Sequence, residues 1–474
     1  MAGKFLSLFG PLSRFMPEVS SPTRKVSFNE KLFWTAMALI IYLVMSEIQL
    51  FNVASGGSDF QNFRIIFASN QGTLTELGIG PIVTGGLILQ LLIGANIINA
   101  DLGNTEDRAL FTAATKVLSI VLTGVQAGAY LIGGVYGALD GFTSIIIFIQ
   151  LVCAGIMLML LDEMLQKGWG IGSGISLFIL AGVAQRIMWD SFGITPGMYD
   201  GNMYGAFLSL GQTIMSGDSL LYAFFRFDSE GTLTTLPTML GFIATVIIFI
   251  VVIYLEGVRV ELPISHANYR GFRGKYPIKL LYVSNLPVIF ASALFSNVYV
   301  FAQLLASQSW GQNNFWVGLL GTFGGEEGTT LVGGLAYYVT APSGLADVIA
   351  DPLRGLIYVV IMVIFAVIFS LTWLEVGGLG PSTVAKQLVD SGMQIPGFRR
   401  SGKSIELILQ RYIPAVTVLG GAIIGFIAAV AGLFGAFGTG TGILLAVGIL
   451  YQYYQLLVQE QVAEMYPAFG KVLG

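Results

Sequence analysis

Charged residues are scarce in this chain of 474 residues. Only 11% of its residues are Asp, Glu, Lys or Arg, while 55% are hydrophobic. A soluble domain has about 25% charged residues, so the composition argues against a large soluble protein, which would still need a charged surface. Apolar runs of about 20 residues recur along the chain, and this is the length needed to cross about 30 Å of hydrocarbon. The sequence therefore predicts a polytopic helical membrane protein.

Cysteine and histidine occur once each, as Cys153 in an apolar run and His266 in a basic loop. A single cysteine excludes an internal disulfide. The same scarcity argues against a His-rich metal cluster and a Cys–His catalytic pair, and no paired carboxylates or nucleophile–base couple are expected at membrane depth. We therefore expect no enzymatic activity, no bound metal and no cofactor.

About ten membrane spans are expected from the apolar runs. They follow a cytosolic N-terminal segment, 1–30, and precede a cytosolic C-terminal tail, 461–474. Five spans fall in an N-terminal half, 31–235, and five in a C-terminal half, 236–460. Because five is odd, the second half would be inverted relative to the first, as in several transporter folds. The predicted spans are 31–50, 74–98, 108–134, 142–163, 171–190, 236–258, 280–305, 353–374, 411–433 and 438–460.

Lysine and arginine are distributed unevenly between the two sides of the membrane. If the N-terminus is cytosolic, only four of the 23 basic residues fall on the outer side or at its boundary. The opposite orientation would invert the usual excess of positive charge on cytosolic loops. Both termini are therefore expected in the cytosol, which requires an even number of spans. The four outer basic residues are Arg64, Arg186, Arg226 and Arg354.

Two predicted cytosolic loops are long and basic. EGVRVELPISHANYRGFRGKYPIK follows the sixth span, and DSGMQIPGFRRSGKSIELILQR follows the eighth. Ordinary positive-inside bias would explain a few such charges, whereas loops of this length, shaped by Gly and Pro, indicate projecting surfaces for an anionic partner. Nucleic acid or ribosomal RNA would be attracted through its phosphates, and an acidic lipid headgroup is the alternative.

Three span openings combine glycine with bulky aliphatic residues. TELGIGPIVTGGLILQLL sets Ile79 and Val83 four apart, GWGIGSGISLFI does the same with Ile171 and Ile175, and FGTGTGILLAVG is similar. Residues four apart share one helix face, and a backbone group freed by glycine or proline at membrane depth needs a partner in protein or in a water-filled cavity. Packing of small residues between membrane helices would explain any one segment, whereas three together indicate a shared interior wall.

Ionisable residues avoid the middle of the predicted spans. A proton-coupled or ion-coupled carrier usually keeps an ionisable group at the midplane, so a secondary transporter of a small solute is the alternative rather than the preferred function. An aliphatic lumen suits gating by a hydrophobic constriction. The acidic residues at span ends are Glu47, Asp162, Glu163, Glu256 and Glu375, and the deeper neutral ones are Thr84, Gln90, Gln126, Gln150 and Asn297.

The segment between the first two spans, 57–72, is too short and polar to cross a membrane. Its stripe of phenylalanines predicts a short amphipathic helix, and an exterior loop is the alternative. The long outer segments near 191–235 and 306–352 are rich in Gly, Ser and Asn. We interpret them as solvent-facing connections.

Four longer motifs resemble the SecY family, which forms the central subunit of the protein-translocation channel. They are LGIGPIVTGGLILQLL, LDEMLQKGWGIGSGISLFI, GKYPIKLLYVSNLPVIFASALFSN and GTGTGILLAVGILYQYYQ. The resemblance extends from about residue 20 to the C-terminus, and the basic loops are similar to those of the archaeal and eukaryotic branch. It implies an all-α polytopic membrane protein whose ten helices form two inverted, pseudosymmetric halves around a central hourglass pore.

The resemblance also implies roles for individual residues. An aliphatic ring would mark the waist of the pore, a plug near 57–72 would block its outer funnel at rest, and a polar cluster would lie at a lateral gate. The two basic loops would dock a ribosome. The ring residues are Ile79, Val83, Ile171, Ile175, Ile289 and Leu445; the gate residues are Thr84, Gln126 and Asn297; the plug residues are Phe60, Phe63, Arg64 and Phe67; and the docking residues are Arg270, Arg273, Lys275, Arg399 and Arg400.

By the same resemblance, the chain is expected to be a protein-conducting channel in the plasma membrane. It would pass unfolded secretory polypeptides across the membrane and release apolar segments sideways into lipid, driven by a bound ribosome or another partner. The expected partners are a SecE-like clamp subunit, a Secβ-like small subunit, a translating ribosome, signal sequences, nascent polypeptides and the lipid bilayer.

Overall fold

The structure, a computed structural model, is described for most of the chain. Sixteen helices, one π-helical turn and five short strands lie in the described part. The described residues are 11, 16–53, 69–70, 72–94, 97–98, 105–132, 136, 139–197, 201–228, 231–266, 273–283, 286–307, 314–324, 330–394 and 402–465.

The elements are numbered in chain order. The helices are α1 (Phe28–Glu47), α2 (Gly80–Gly94), α3 (Thr105–Ile132), α4 (Gly141–Met164), α5 (Gly174–Phe192), α6 (Ala206–Ser216), α7 (Leu221–Phe224), α8 (Met239–Gly257), α9 (Leu286–Ser307), α10 (Phe315–Leu320), α11 (Leu335–Val339), α12 (Leu345–Ala350), α13 (Pro352–Val376), α14 (Pro381–Asp390), α15 (Gly402–Leu433) and α16 (Gly440–Met465). The π-helical turn, Leu165–Trp169, follows α4 directly. The strands are β1 (Arg259–His266), β2 (Arg273–Lys279), β3 (Thr322–Gly324), β4 (Thr330–Gly333) and β5 (Met393–Gln394).

Most of the long helices can cross a membrane. Among the described residues, nine helices have the length and apolar composition of a span, and Gly80–Ile93 in α2 is apolar but shorter. These ten helices are α1 to α5, α8, α9, α13, α15 and α16. The prediction of an all-α membrane protein with about ten spans is confirmed.

The chain forms two compact units. The first contains Met1–Asp190, Phe295–Tyr337 and Leu445–Gly474, and the second contains Ser191–Leu294 and Tyr338–Leu444. Each unit is therefore discontinuous in sequence: the first consists of three segments of the chain and the second of two. The division into two consecutive halves of five spans stays a prediction.

Within the first unit, α2 lies unusually close to α3. A Cβ atom added at Gly85 would lie 2.8 Å from the Ser119 hydroxyl oxygen and 3.2 Å from the Ser119 backbone nitrogen. The first contact would force the Ser119 side chain to shift, and the second would require the Ser119 backbone to move by a few tenths of an ångström, so glycine favours this close approach. Leu89 and Ala114 are buried in the same contact region. Small residues that let two membrane helices approach closely stabilise the pair through van der Waals packing.

The second unit contains a small antiparallel sheet with the order β2–β1–β5. Leu262 on β1 pairs with Tyr276 on β2, and Leu262 and Ile278 are buried. They share one apolar core with Val384 on α14 and Leu409 on α15. Burial of one sheet face against two helices is what makes so short a sheet stable.

The helix α15 begins nine residues before the predicted span start at 411. Pro414 lies inside it, and an interior proline costs about 3 kcal/mol. Ile405, Leu409 and Ile413 are fully buried against the sheet core, and their spacing of four puts them on one face. Burial of three large aliphatic side chains contributes about 1.5–3 kcal/mol each, which outweighs the proline.

The segment near 191–235 was expected to be a solvent-facing connection, and its packing is more extensive than that. The Arg226 side chain is only 2% exposed. Its guanidinium donates to the carbonyl oxygens of Met203 at 2.9 Å, Tyr204 at 2.8 Å and Pro237 at 3.3 Å. A buried cation needs such acceptors to offset its lost hydration. The segment is therefore folded around an arginine rather than extended in solvent.

Candidate functional site

The segment that leads into α2 is tied to the end of α1. The Leu74 amide donates to the Ile48 carbonyl at 3.0 Å, and the Leu50 amide donates to the Gly72 carbonyl at 2.8 Å. The Asn70 side-chain amide donates to the Ser46 carbonyl at 3.3 Å. These bonds fix the backbone that reaches the first candidate ring residue.

Ile79 lies at the last turn before α2 and is only 1% exposed. Gly78 has a φ of 53°, a left-handed conformation that favours glycine, and α2 starts two residues later. The Val83 amide donates to the Ile79 carbonyl at 3.0 Å, so Val83 lies one helical turn after Ile79. The helix therefore begins six residues after the predicted span start at 74, because the amides of Leu74, Glu76 and Gly78 are bonded outside a helix.

The opening of α5 is held by side chains from two other helices. After the π-helical turn, the Ile171 amide donates to the Thr35 hydroxyl of α1 at 3.0 Å. The Ile175 amide donates to the Asp162 carboxylate of α4 at 3.0 Å. Ile171 is buried and Ile175 is half-buried. The backbone at both candidate ring residues of this segment is thus anchored.

A third contact to this opening comes from α16. The Tyr453 hydroxyl donates to the Ser173 carbonyl at 2.8 Å. Gly172 has a φ of +74°, and a Cβ atom there would lie 3.0 Å from the Tyr453 ring. Glycine is required here by both the left-handed backbone and the close approach of the ring.

The remaining candidates of the ring and gate lie on four helices. Leu445 on α16 is 1% exposed, and Ile289 on α9 is half-buried. Ile289 belongs to the second unit, whereas the other five ring candidates belong to the first. The gate candidates on α2, α3 and α9 are all half-buried, and they are Thr84, Gln126 and Asn297.

A buried carboxylate near the end of α4 has two cationic partners, and the sequence analysis did not identify either of them. Glu163 is 8% exposed, and its Oε1 atom lies 2.5 Å from the Lys116 Nζ and 2.8 Å from the Lys167 Nζ. Lys167 also lies 2.5 Å from the Glu18 carboxylate. The Lys167 hydrogen bond lowers the pKa of Glu18 below its ordinary value. The signal for this cluster was the retention of acidic residues beside an apolar run.

The strands that border the two basic loops are neighbours in the sheet. Ser265 at the end of β1 pairs with Arg273 on β2 and with Gln394 on β5. The loop after β1 and the loop after β5 therefore start from adjacent strands. Lys275 on β2 is exposed and pairs with Glu261 at 2.5 Å, and the Lys275 hydrogen bond lowers the pKa of that carboxyl.

Several candidate residues lie outside the described residues. They include the whole predicted plug stripe and most of the docking charges, and only the backbone of Arg273 is described. These undescribed candidates are Phe60, Phe63, Arg64, Phe67, Arg270, Arg399 and Arg400.

The octapeptide GFRRSGKS at 397–404 matches the spacing of a phosphate-binding loop, G-x-x-x-x-G-K-[ST]. In nucleotide-binding proteins that loop joins a strand of a parallel sheet to a helix. Here the preceding strand, β5, has two residues and pairs antiparallel with β1. The described strand therefore lacks the sheet context of a nucleotide site, and the spacing alone does not identify one.

Two family models match the chain in adjacent ranges. The model described as SecY matches residues 73–454. The model described as the plug domain of Sec61p matches residues 40–72, a range that includes the segment predicted as a plug. Together they extend from the middle of α1 to the middle of α16.

Solved structures similar to this chain are channels of the same kind. One, described as the structure of a protein conducting channel, has a TM-score of 0.81 and 39% identity, covering 97% of this chain and 98% of its own. A second, on the plug domain of the SecY protein and the closed state, has a TM-score of 0.78, 38% identity and the same coverage. A third, Sec61 in the canine ribosome-channel complex from the endoplasmic reticulum, has a TM-score of 0.78, 39% identity and coverage of 97% and 98%.

Proposed function

The chain belongs to the SecY family of protein-conducting channels, and from this premise we propose how its residues pass a polypeptide. It is a multi-pass membrane protein that conducts polypeptides through the membrane. The observation that carries this function is the SecY match over residues 73–454. The same match favours the channel over a secondary transporter.

Six aliphatic side chains form the constriction of the channel. Aliphatic groups offer no oxygen to replace the hydration shell of an ion, so a narrow aliphatic ring impedes ions by dewetting. Their side chains also adapt to polypeptides of different shape. The burial of Ile79, Ile171 and Leu445 in a membrane protein supports this role, because these side chains are covered by protein. The ring is Ile79, Val83, Ile171, Ile175, Ile289 and Leu445.

A plug and a lateral gate complete the channel. The plug lies near 57–72, and its C-terminal end is held by hydrogen bonds that join Asn70, Gly72 and Leu74 to residues 46–50. The gate uses neutral polar side chains, whose hydrogen bonds between membrane helices contribute about 0.6 kcal/mol each. Bonds of that strength can break whenever an apolar segment enters lipid. The gate residues are Thr84, Gln126 and Asn297.

The partners of this channel follow from its charge and its relatives. The strands that border the two basic loops are adjacent in the sheet, which supports a shared role for these loops, and their arginines and lysines attract the phosphates of ribosomal RNA. A translating ribosome then supplies the driving force, with a SecE-like clamp and a Secβ-like subunit beside the channel. Both termini lie in the cytosol, and the chain resides in the plasma membrane.

Site-specific crosslinking tests this function. A photoreactive residue is placed at Ile171, and the channel is reconstituted with the clamp subunit and ribosomes carrying a stalled secretory chain. We expect a crosslink to the nascent chain that requires its signal sequence. A nascent chain without the signal sequence is the first control.

A second control places the same photoreactive residue at Ile250, which is 61% exposed on the span α8. A translocating chain in the pore should not reach this position. Crosslinks at Ile250 together with none at Ile171 would show that the pore axis is misplaced.

A further inference from the structure

Asp162 is a buried acid that the channel function described above does not use. It is 7% exposed, and its Oδ1 atom accepts from the Ile175 amide at 3.0 Å and from the Ser173 hydroxyl at 3.2 Å. Its Oδ2 atom accepts from the Gln166 side-chain amide at 2.7 Å. Ionisable groups inside a membrane protein are costly and are retained for a task.

The place of Asp162 relative to α5 indicates what that task is. Ile175 is the second residue of α5, so its amide is one of the donors that a helix leaves without an intrahelical acceptor. A carboxylate at this position satisfies the donor and interacts favourably with the helix dipole. Unlike an ordinary cap, Asp162 belongs to a different helix, α4. It therefore fixes the start of α5 relative to α4.

The other two anchors act on the same short turn. The Thr35 hydroxyl accepts from the Ile171 amide and itself donates to the Lys31 carbonyl at 2.7 Å, which aims its lone pairs at the turn. The Tyr453 hydroxyl donates to the Ser173 carbonyl, and Tyr453 lies eight residues after Leu445 on α16, on the same helix face. The turn is thus held by α1, α4 and α16 at once.

We propose that Asp162 is a positioning residue of the constriction. Its carboxylate holds the first turn of α5 so that the side chains of Ile171 and Ile175 keep the direction that closes the ring after a polypeptide has left. Thr35 and Tyr453 support the same turn. This role rests on the ring proposed above, because a fixed turn matters to ion retention only if these isoleucines line the pore.

The test measures ion conductance of the complete channel complex in planar bilayers without substrate. Loss of a helix N-terminal acceptor typically shifts a local equilibrium by about five- to tenfold, so we expect Asp162→Ala to raise the resting leak by a similar factor. Asp162→Asn keeps an acceptor oxygen and should remain within about twofold of the parent protein.

A matched control tests whether the loss of any helix cap would raise the leak, or only the loss of the one at α5. Asp351 accepts from the Arg354 amide at 3.1 Å at the start of α13, and no ring residue lies there. Asp351→Ala should lower the unfolding temperature as Asp162→Ala does, without raising the leak. An equal leak in both variants, or none in Asp162→Ala, would overturn the positioning role.

Three further variants complete the test. If Asp162→Ala does not fold, two other variants disturb the same turn at nearly constant side-chain shape. Thr35→Val removes the acceptor of the Ile171 amide together with the bond to the Lys31 carbonyl, and Tyr453→Phe removes the bond to the Ser173 carbonyl. A leak in neither would also overturn the proposal. The double variant Ile171→Ser/Ile175→Ser tests the ring itself. A leak there without a leak in Asp162→Ala rejects only the positioning role, whereas no leak in either rejects the ring.

Discussion

The Nζ atom of Lys116 lies 2.5 Å from Oε1 of Glu163, which joins the middle of α3 to the C-terminal end of α4. The two side chains are 16% and 8% exposed, so the pair is largely removed from water. Removing one partner of a buried ion pair leaves a charge without compensation, whereas exposed pairs contribute little.

We therefore expect Glu163→Gln to destabilise the protein by up to about 3 kcal/mol, measured by thermal unfolding in detergent. The exposed pair Arg24–Glu30, with side chains 72% and 39% exposed, supplies the control. Glu30→Gln should change the free energy of unfolding by less than about 1 kcal/mol, since glutamine also preserves the cap of α1. Equal losses in both variants would contradict the importance of burial.

The segment Glu18–Ser20 should detach from the π-helical turn after α4 at acid pH. The Lys167 hydrogen bond lowers the pKa of Glu18 in the folded state, so the pair stabilises docking fully above the ordinary pKa of about 4.3. That contribution is lost as pH falls through the lowered pKa. A spin label at Ser20→Cys, in a Cys153→Ser background, should become mobile in that range.

Glu18→Gln supplies the control for this titration, because it removes the only group whose protonation is proposed to release the segment. Its label should be mobile at neutral pH and show no further change on acidification. A transition that persists in Glu18→Gln would show that protonation of Glu18 does not release the segment.

The ends of the membrane-spanning helices were predicted more accurately from the sequence where the helix is uniformly apolar than where it contacts other elements. The span predicted at 142–163 forms Gly141–Met164, because apolar length alone decides its ends. The span predicted at 74–98 forms the helix Gly80–Gly94, since the residues before it form local turns and one bond to Ile48. Such tertiary contacts leave no periodic signal in the sequence.

Contacts between helices were also missing from the sequence-based prediction of the candidate site. Ile171 and Ile175 were recognisable from their spacing among glycines, whereas Thr35, Asp162 and Tyr453 were not recognised as their supports. Those three residues come from three separate helices, and one sequence contains no direct record of which helices meet. The signal in the sequence was the position of Asp162 at the end of an apolar run.

Charge reversal in the basic loops should weaken ribosome binding. Arg273→Glu combined with Arg399→Glu replaces two attractions to phosphate by repulsions, so we expect the Kd to rise by about tenfold or more at low salt and by less at high salt. Lys386→Glu on α14, an exposed lysine of the same unit, is the matched control. If the Kd is unchanged, or rises equally in the control, the loops do not form the docking surface.

The gate residue Asn297 should set how apolar a segment must be to enter lipid. In Asn297→Leu a half-buried amide is replaced by an apolar group that packs better in the closed gate, so opening costs more. We expect a higher hydrophobicity threshold for insertion, measured with a graded series of Leu/Ala test segments. Phe301→Leu on the same helix, at a side chain 62% exposed, should leave the threshold unchanged, and an equal shift there would exclude a specific gate role.

Replacing the ring should make the resting channel leak. In the variant with serine at Ile79, Val83, Ile171 and Ile175, hydroxyl groups hydrate the constriction and remove the dewetting barrier. Each loss of about 1.4 kcal/mol from the barrier to ion entry raises the conductance tenfold, and four substitutions should exceed that factor. Serine at Ile247 and Ile250, which are 55% and 61% exposed on α8, tests whether any polar substitution in a span would do the same. Conductance that stays at the parent level in the ring variant, with the complex intact, would remove these four residues from the constriction while leaving the family membership untouched.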